Sequence, residues 1–172
     1  LRNSMDSYID FWKITGDALE YAMDVLDIKN VELKNKLLDL YFKLEAYPEV
    51  KKVLMELKKE GYQTGILSNG SQSMLASAVK NAGIESYLDK ILSVEICEVY
   101  KPSKKVYELV ENKFQIDKNE VAFFSSNAWD MHAAANFGFK TIWINRFEGK
   151  LERLPGKPYA EVKSLENIIE IL

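Results

Sequence analysis

The sequence predicts an α/β fold with a parallel sheet, preceded by a segment that is helical throughout. Two observations support this prediction. Residues 1 to about 45 repeat apolar side chains at helical spacing and contain no strand-like run. From residue 47 onward, short apolar runs alternate with amphipathic stretches, which is the pattern of parallel strands with helices on the faces of their sheet.

The elements follow in order. The helical segment divides at Lys29-Asn30 into SMDSYIDFWKITGDALEYAMDVLDI and VELKNKLLDLYFKL. The alternating part begins with a helix in PEVKKVLMELKKEG, where Pro48 suits a first turn and Gly61 suits a helix end. The predicted strands are YQTGIL, KILSVE, EVAFFSS, KTIWINR and YAEV. Further helices are predicted over 71–82 and in KPSKKVYELVENKF, DMHAAANFG and the terminal SLENIIEIL.

Composition limits the classes of function. The 172 residues are 47% hydrophobic and 28% charged, which is typical of one globular domain with a sizeable core. A formal net charge of −3 argues against nucleic-acid and membrane partners. The single cysteine, Cys97, excludes an internal disulfide framework and fits a reducing, cytoplasmic location.

Three polar clusters stand at the ends of predicted strands. They are Ser68-Asn69-Gly70, Tyr100-Lys101-Pro102 and the loop from Ser125 to Asp130. Because the carboxyl ends of parallel strands meet at one edge of a sheet, and ligands bind there, we expect the clusters to lie together.

The first two clusters each allow a structural and a functional interpretation. Ser68 and Asn69 suit a tight turn that caps the next helix, or a cradle for a small carboxylate or phosphate. Lys101 suits a solvated surface position, or a fixed positive charge that lowers the pKa of a nearby carboxylate.

The third cluster, SSNAWD, also allows two interpretations. Asn127 or Ser126 could cap a helix with Asp130 in its first turn, or the loop could be catalytic. Trp129 favours a pocket wall. Because His132 is the only histidine, a triad or metal cluster built on histidine is excluded beyond one ligand; His132 itself is predicted on a helix surface.

The order of these motifs resembles the haloacid dehalogenase superfamily, and more narrowly the L-2-haloacid dehalogenases. The matching segments are LSNGS, VYKPSKKVYELV, SSNAWD and WINR. The resemblance implies a doubly wound, Rossmann-like parallel-sheet core over residues 47–172, preceded by part of a helical cap over residues 1–46. It also implies hydrolysis of short 2-haloacids to 2-hydroxyacids through an aspartyl ester.

The resemblance assigns roles to individual residues. Ser68 and Asn69 would bind the substrate carboxylate, and Lys101 would stabilise the charge of the nucleophile. Tyr107 would hydrogen-bond near the site. The residues implied to position the nucleophile and the hydrolytic water are Ser125, Asn127 and Asp130. The residues implied to line the halide and alkyl pocket are Phe11, Asn127 and Trp129.

No metal and no cofactor is implied. Phosphatases of the superfamily have an acidic residue where this chain has Ser126, and Mg²⁺ prefers such an oxygen-rich, charged site. A small-molecule phosphatase of the same superfamily remains an alternative. A pseudo-enzyme or gene remnant, which keeps the anion cradle without chemistry, is the non-catalytic alternative.

The family's nucleophilic aspartate belongs to a D-x-Y/D-G-T-type motif at the end of the first core strand, and these 172 residues contain no such motif. We therefore expect the chain alone to be inactive. That strand would lie centrally, so the strands at 62–67 and 121–125 should have open edges facing an apolar gap. The implied partners are a small 2-haloacid or other small carboxylate, and a homodimer mate or complementing N-terminal segment.

Overall fold

The computed structural model describes all residues, 1–172. The helices are α1 (Phe11–Val25), α2 (Val31–Asp39), α3 (Val50–Lys59), α4 (Gln72–Asn81), α5 (Lys104–Phe114) and α6 (Ala128–Phe137). The strands are β1 (Gly65–Ser68), β2 (Lys90–Ser93), β3 (Ala122–Ser125), β4 (Lys140–Ile144) and β5 (Ala160–Val162). No helix is long and apolar enough to cross a membrane.

The N-terminal helical segment, residues 1–46, contains α1, α2 and two short 3₁₀ turns. The prediction of continuous helix before α1 is wrong, because residues 6–10 are not helical. Asp6 has a φ of 49°, in the left-handed region, and Asp10 caps α1 by accepting a hydrogen bond from the Lys13 amide at 2.9 Å. A side-chain cap of this kind fixes where a helix begins, so α1 starts only at Phe11.

The strands form two parallel sheets, as the alternating pattern predicted. One sheet pairs β1 with β2, with Ile66 opposite Ile91. The other has the order β3-β4-β5, with Phe124 opposite Ile142. Every pairing is parallel; helices connect β1 to β2, β2 to β3 and β3 to β4, whereas a loop without helix connects β4 to β5.

Neighbouring phenylalanines of β3 show that helices cover both faces of the sheet. Phe123 packs against the cluster formed with α5 and α6, whereas Phe124 packs against the cluster of α3 and the C-terminal segment. Successive side chains of a strand point to opposite faces, so α3 and α5 lie on opposite sides. This is the doubly wound arrangement.

A cleft of about 990 Å³ separates the two sheets. Both β1 and β3 line it, and neither has a partner strand on that side. The body of the cleft is apolar, with Leu54, Ile66, Val110, Phe114 and Phe124 among its walls. Two open strand edges with unpaired backbone groups therefore face one shared apolar space, as the family resemblance implied.

The predicted terminal helix is wrong. The segment SLENIIEIL contains only a 3₁₀ turn over Ile168–Glu170, after Asn167 with a φ of 60°. Ile168 is buried against Val53 and Leu57 of α3. So short a segment forms helix poorly by itself, and the packing of Ile168 on the sheet face decides its conformation.

Candidate active site

Lys101 and Asp130 form a buried ion pair at the end of the cleft. The Nζ atom of Lys101 lies 2.9 Å from Oδ2 of Asp130, and each side chain is 7% exposed. Burial lowers the pKa of Lys101 from its ordinary value, and the charge of Asp130 opposes that shift. Lys101 is therefore not a solvated surface residue but a fixed charge at the strand ends.

Asp130 accepts two further hydrogen bonds. The Tyr107 hydroxyl donates to Oδ1 at 2.8 Å, and the Ser125 hydroxyl donates to Oδ2 at 3.1 Å. Burial, together with the charge of Asp130, raises the pKa of Tyr107 far above its ordinary value, so the phenol stays protonated as a donor. With Lys101, three donors engage the two oxygens of this carboxylate.

The end of β1 contributes Ser68 and Asn69 to the site. The side-chain oxygen of Asn69 accepts a hydrogen bond from the Lys101 backbone amide at 2.9 Å, which fixes the lysine loop against the end of β1. Ser68 accepts a hydrogen bond from the Gly70 amide at 3.1 Å. The helix cap is instead Ser71, which accepts from the Met74 amide, so the interpretation of Ser68 and Asn69 as caps is wrong.

The SSNAWD loop has side chains that neither cap a helix nor lie in the core. Asn127 stands at the N-cap position of α6, but its side chain makes no capping hydrogen bond. Ser126 is exposed, and Trp129 is 37% exposed. Both Trp129 and Phe11, from the start of α1, line the cleft beside Asn127. An amide and two aromatic rings thus border the polar end of the cleft.

The structure brings the candidate residues together. Eight of them line the cleft, namely Phe11, Ser68, Asn69, Lys101, Ser125, Asn127, Trp129 and Asp130. Tyr107 lies behind Asp130 as its hydrogen-bond donor. The arrangement places one fixed cation, hydroxyls and amides at the mouth of an apolar cleft, which can bind and orient a small carboxylate.

His132 lies outside this site, and its predicted surface position is wrong. It is buried, and its Nδ1 lies 2.7 Å from the carbonyl oxygen of Gly156, so Nδ1–H is the donor. The chain after β4 crosses α6 so closely that a Cβ on Gly156 would lie 2.4 Å from the His132 carbonyl oxygen. That crossing covers a helix face that the local sequence pattern predicts to be exposed.

One residue that the sequence did not indicate, Asn3, joins the site through Tyr100. The side-chain amide of Asn3 donates to the Tyr100 carbonyl oxygen at 3.0 Å and accepts from the Tyr100 amide at 3.2 Å. Tyr100 directly precedes Lys101. No sequence signal identifies this contact, because the two residues are 97 positions apart.

The family model for haloacid dehalogenase-like hydrolases matches residues 4–138. The chain is 37% identical over 172 residues to (S)-2-haloacid dehalogenase 1 of Pseudomonas sp. (strain CBS-3), covering 99% of this chain and 76% of that protein. It belongs to the L-2-haloacid dehalogenase family of these hydrolases. A second member of the family, the (S)-2-haloacid dehalogenase of Pseudomonas sp. (strain YL), is 39% identical over 172 residues and is covered to 74%.

Solved structures of the L-2-haloacid dehalogenase family agree. A crystal structure of a dehalogenase superposes with a TM-score of 0.96 at 37% identity, covering 99% of this chain and 76% of that one. The L-2-haloacid dehalogenase of Xanthobacter autotrophicus, with chloropropionic acid covalently bound, gives a TM-score of 0.92 at 29% identity, with coverages of 99% and 78%. The predicted α/β class and family are confirmed.

Proposed function

We propose that this chain provides the active-site scaffold for hydrolytic dehalogenation of short (S)-2-haloacids to 2-hydroxyacids. One observation supports the proposal above the others: Lys101, Asn69 and Asp130 converge where the open edges of β1 and β3 end. The sequence relatives are (S)-2-haloacid dehalogenases. In keeping with the division inferred from the sequence, residues 1–46 would act as the cap and residues 47–172 as the core.

Substrate binding is the first step. Ser68 and Asn69 bind the substrate carboxylate through their polar groups at the end of β1. The alkyl group and halogen lie against Phe11 and Trp129, with the Asn127 amide directed toward the departing halide. Apolar walls with few polar groups orient a small ligand in this way.

The first chemical step is displacement at C2. A carboxylate oxygen of an aspartate forms a bond to C2 while the carbon–halogen bond breaks, and the halide departs with the electron pair. The ammonium of Lys101 stabilises the aspartate in its ionised form before attack. A water-poor cleft strengthens this interaction.

The second step is hydrolysis of the aspartyl ester. Water adds to the ester carbonyl carbon, and the bond between that carbon and the oxygen attached to C2 then breaks; that oxygen takes one proton of the water, and the other proton is released to solvent. The products are the 2-hydroxyacid and the regenerated aspartate. Ser125 and Asn127 position the water, and Asp130 holds Ser125 and Lys101 in place through the hydrogen bonds described above.

Asp130 is not suited to be the nucleophile, because Lys101, Tyr107 and Ser125 already engage its oxygens and it is buried. We propose that an extended segment between β1 and β3 presents the nucleophilic aspartate at its carboxyl end. Its backbone would complete the hydrogen bonding of both open edges. Both faces of the cleft are apolar, so the segment needs apolar side chains on both sides.

The donor set disfavours the phosphatase alternative. Mg²⁺ prefers several oxygen ligands with carboxylates among them, whereas the polar end of the cleft offers one carboxylate, which is already paired with Lys101. Ser126 adds a hydroxyl in place of a second charge. We therefore propose that the reaction needs no metal and no cofactor.

The same proposal includes location and assembly. A single half-buried cysteine suits a cytoplasmic enzyme. Exposed apolar side chains on the N-terminal helical segment support a homodimer through α1 and α2; they include Tyr21, Val25, Leu26, Val31 and Leu40. Light scattering on the purified chain tests the dimer, and Leu26→Glu should shift it toward the monomer.

Fragment complementation tests the proposed function. The purified chain is mixed with a synthetic peptide whose apolar, strand-forming run ends in aspartate, and chloride release from (S)-2-chloropropanoate is measured. The peptide with asparagine at that position is the matched control. We expect release only with the aspartate peptide, only from the (S) enantiomer, and without dependence on Mg²⁺.

Two results would contradict the proposal. Mg²⁺-dependent hydrolysis of p-nitrophenyl phosphate by the complemented chain, without chloride release, would favour the phosphatase. Tight binding of the 2-hydroxyacid and of the peptide without turnover of either substrate would favour the pseudo-enzyme.

A further inference from the structure

Tyr100, the residue directly before Lys101, is hydrogen-bonded to the N-terminal helical segment through its backbone. The side-chain amide of Asn3 pairs with both the N–H and the carbonyl oxygen of Tyr100, at 3.2 Å and 3.0 Å. One side chain thus bonds both backbone groups of the residue directly before the buried lysine, and the Tyr100 carbonyl oxygen also accepts from the Ser103 amide at 3.0 Å. The side chain of asparagine carries an acceptor oxygen and a donor NH₂ group on neighbouring positions, so it can bond an N–H and a carbonyl oxygen at once.

The side chain of Tyr100 makes a third link to the same segment. Its hydroxyl donates to the Ile9 carbonyl oxygen at 2.5 Å. Its ring lies 5.4 Å from the ring of Tyr8 and 6.1 Å from that of Phe11, measured between centroids. Burial, together with neighbouring Tyr8, raises the pKa of Tyr100, so its hydroxyl remains a donor at neutral pH.

The links place Lys101 between two fixed points. On one side, Asn3 and Ile9 hold Tyr100; on the other, the Asn69 side chain accepts from the Lys101 amide. A lysine side chain has a long flexible stem, so its ammonium stays on Asp130 only if the backbone below it is fixed. The same segment leads into Phe11 at the cleft.

We infer that Asn3, acting through Tyr100, is a positioning residue that couples the placement of the N-terminal helical segment over the cleft to the placement of the Lys101 ammonium on Asp130. Only the expected effect of this coupling on turnover rests on the proposed function. The position of Lys101 itself can be measured without catalysis.

Trace reductive methylation of the purified chain, read by mass spectrometry at each lysine, tests the inference. In Asn3→Ala, which loses two hydrogen bonds, we expect methylation of Lys101 to rise at least about fivefold, the factor that corresponds to the loss of a single hydrogen bond of ordinary strength. The rate at exposed Lys104 should not change. The matched control is Asn145→Ala, which removes a side-chain amide that likewise pairs with both the N–H and the carbonyl oxygen of one residue, Gly149, outside the N-terminal helical segment.

A second variant separates positioning from general instability. Tyr100→Phe removes only the hydroxyl bond to Ile9 and keeps the ring, so it should raise Lys101 methylation by a smaller factor. If Asn3→Ala unfolds the chain, the partly buried lysines Lys34 and Lys58 are methylated faster as well, and Tyr100→Phe then decides. Unchanged Lys101 methylation in both folded variants, or an equal rise in Asn145→Ala, overturns the inference.

A kinetic measurement completes the test in the peptide-complemented chain. Asn3→Ala should lower kcat with little change in KM, because the ammonium serves the nucleophile rather than substrate binding. Asn3→Gln, which keeps the amide, should recover part of the rate. If no variant and no wild-type sample releases chloride, the proposed function fails while the methylation result still judges the inference.

Discussion

The ammonium of Lys101 and the carboxylate of Asp130 form an ion pair 2.9 Å long, at which both side chains are 7% exposed. The pair joins the loop before α5 to the first turn of α6, and through them the two sheets. Removing one partner leaves the other charge buried without compensation, which costs far more than the loss of an exposed pair.

We therefore predict strong coupling between these two residues. Asp130→Asn should lower the free energy of unfolding by about 3 kcal/mol. Lys101→Met should have a smaller effect, and the double variant should be less destabilised than the sum of the two. Urea unfolding in a double-mutant cycle measures the coupling. Strict additivity would show that the pair does not act as a unit.

Tyr107→Phe should separate the hydroxyl from the ring. The ring packs edge-on against Phe123 and Phe139 and would remain, whereas Asp130 would lose one donor. A hydrogen bond to a charged group contributes about 1.5–3 kcal/mol, and we expect a loss in that range by urea unfolding. Tyr21→Phe, at an exposed tyrosine, is the control and should be neutral.

The stability contributed by Glu49 should depend on pH. Glu49 pairs with Arg146, and both are largely buried. Burial alone would raise the pKa of Glu49, but the Arg146 hydrogen bond, aided by backbone amides, lowers it. A lowered folded-state pKa means that the pair stabilises the fold above the unfolded pKa, about 4.3, and that this stabilisation is lost as pH falls through the folded value.

Glu49→Gln should accordingly cost about 2 kcal/mol near neutral pH, in the range for charged hydrogen bonds. The difference from the wild type should shrink in acid, below the folded pKa of Glu49. Urea unfolding near neutral pH and in acid measures this difference in the free energy of unfolding. Glu32→Gln removes an exposed pair with Lys36 and should show no such dependence. A Glu49→Gln deficit that is equal at both pH values would contradict the assignment.

Gly65 begins β1 at the cleft, where space is limited. A Cβ there would lie 2.7 Å from the Phe114 ring and 3.0 Å from the Lys90 carbonyl oxygen. Gly65→Val should lower the free energy of unfolding by about 2 kcal/mol through overpacking. Gly16→Ala, in open space within α1, should instead stabilise the fold slightly. Thermal unfolding compares them, and a neutral Gly65→Val would contradict the packing described for the cleft.

Much of the fold could be predicted because its signals are local. Apolar runs and helical stripes located all five strands and the helices between them. The polar residues at strand ends converge because parallel strands share one carboxyl edge, so Ser68, Lys101 and Asp130 were found without knowledge of the tertiary structure. Their roles in catalysis remain predictions.

The errors arise where distant packing decides local structure. His132 is buried because the chain around Gly156 crosses α6, and no pattern near His132 indicates that crossing. The terminal segment does not form the predicted helix because Ile168 packs on α3. The hydrogen bonds between Asn3 and Tyr100 connect residues 97 positions apart, so they could be found only in the folded chain.

Isotope labelling tests the central claim, that a strand-borne aspartate in the cleft attacks the substrate. The chain and the aspartate peptide, in excess over (S)-2-chloropropanoate, are allowed one turnover in H₂¹⁸O, and both products are analysed by mass spectrometry. We predict ¹⁸O in the peptide aspartate and none in the 2-hydroxyacid, because water attacks the ester carbonyl. Label in the 2-hydroxyacid with none in the peptide would show direct attack of water on C2 and would contradict the account.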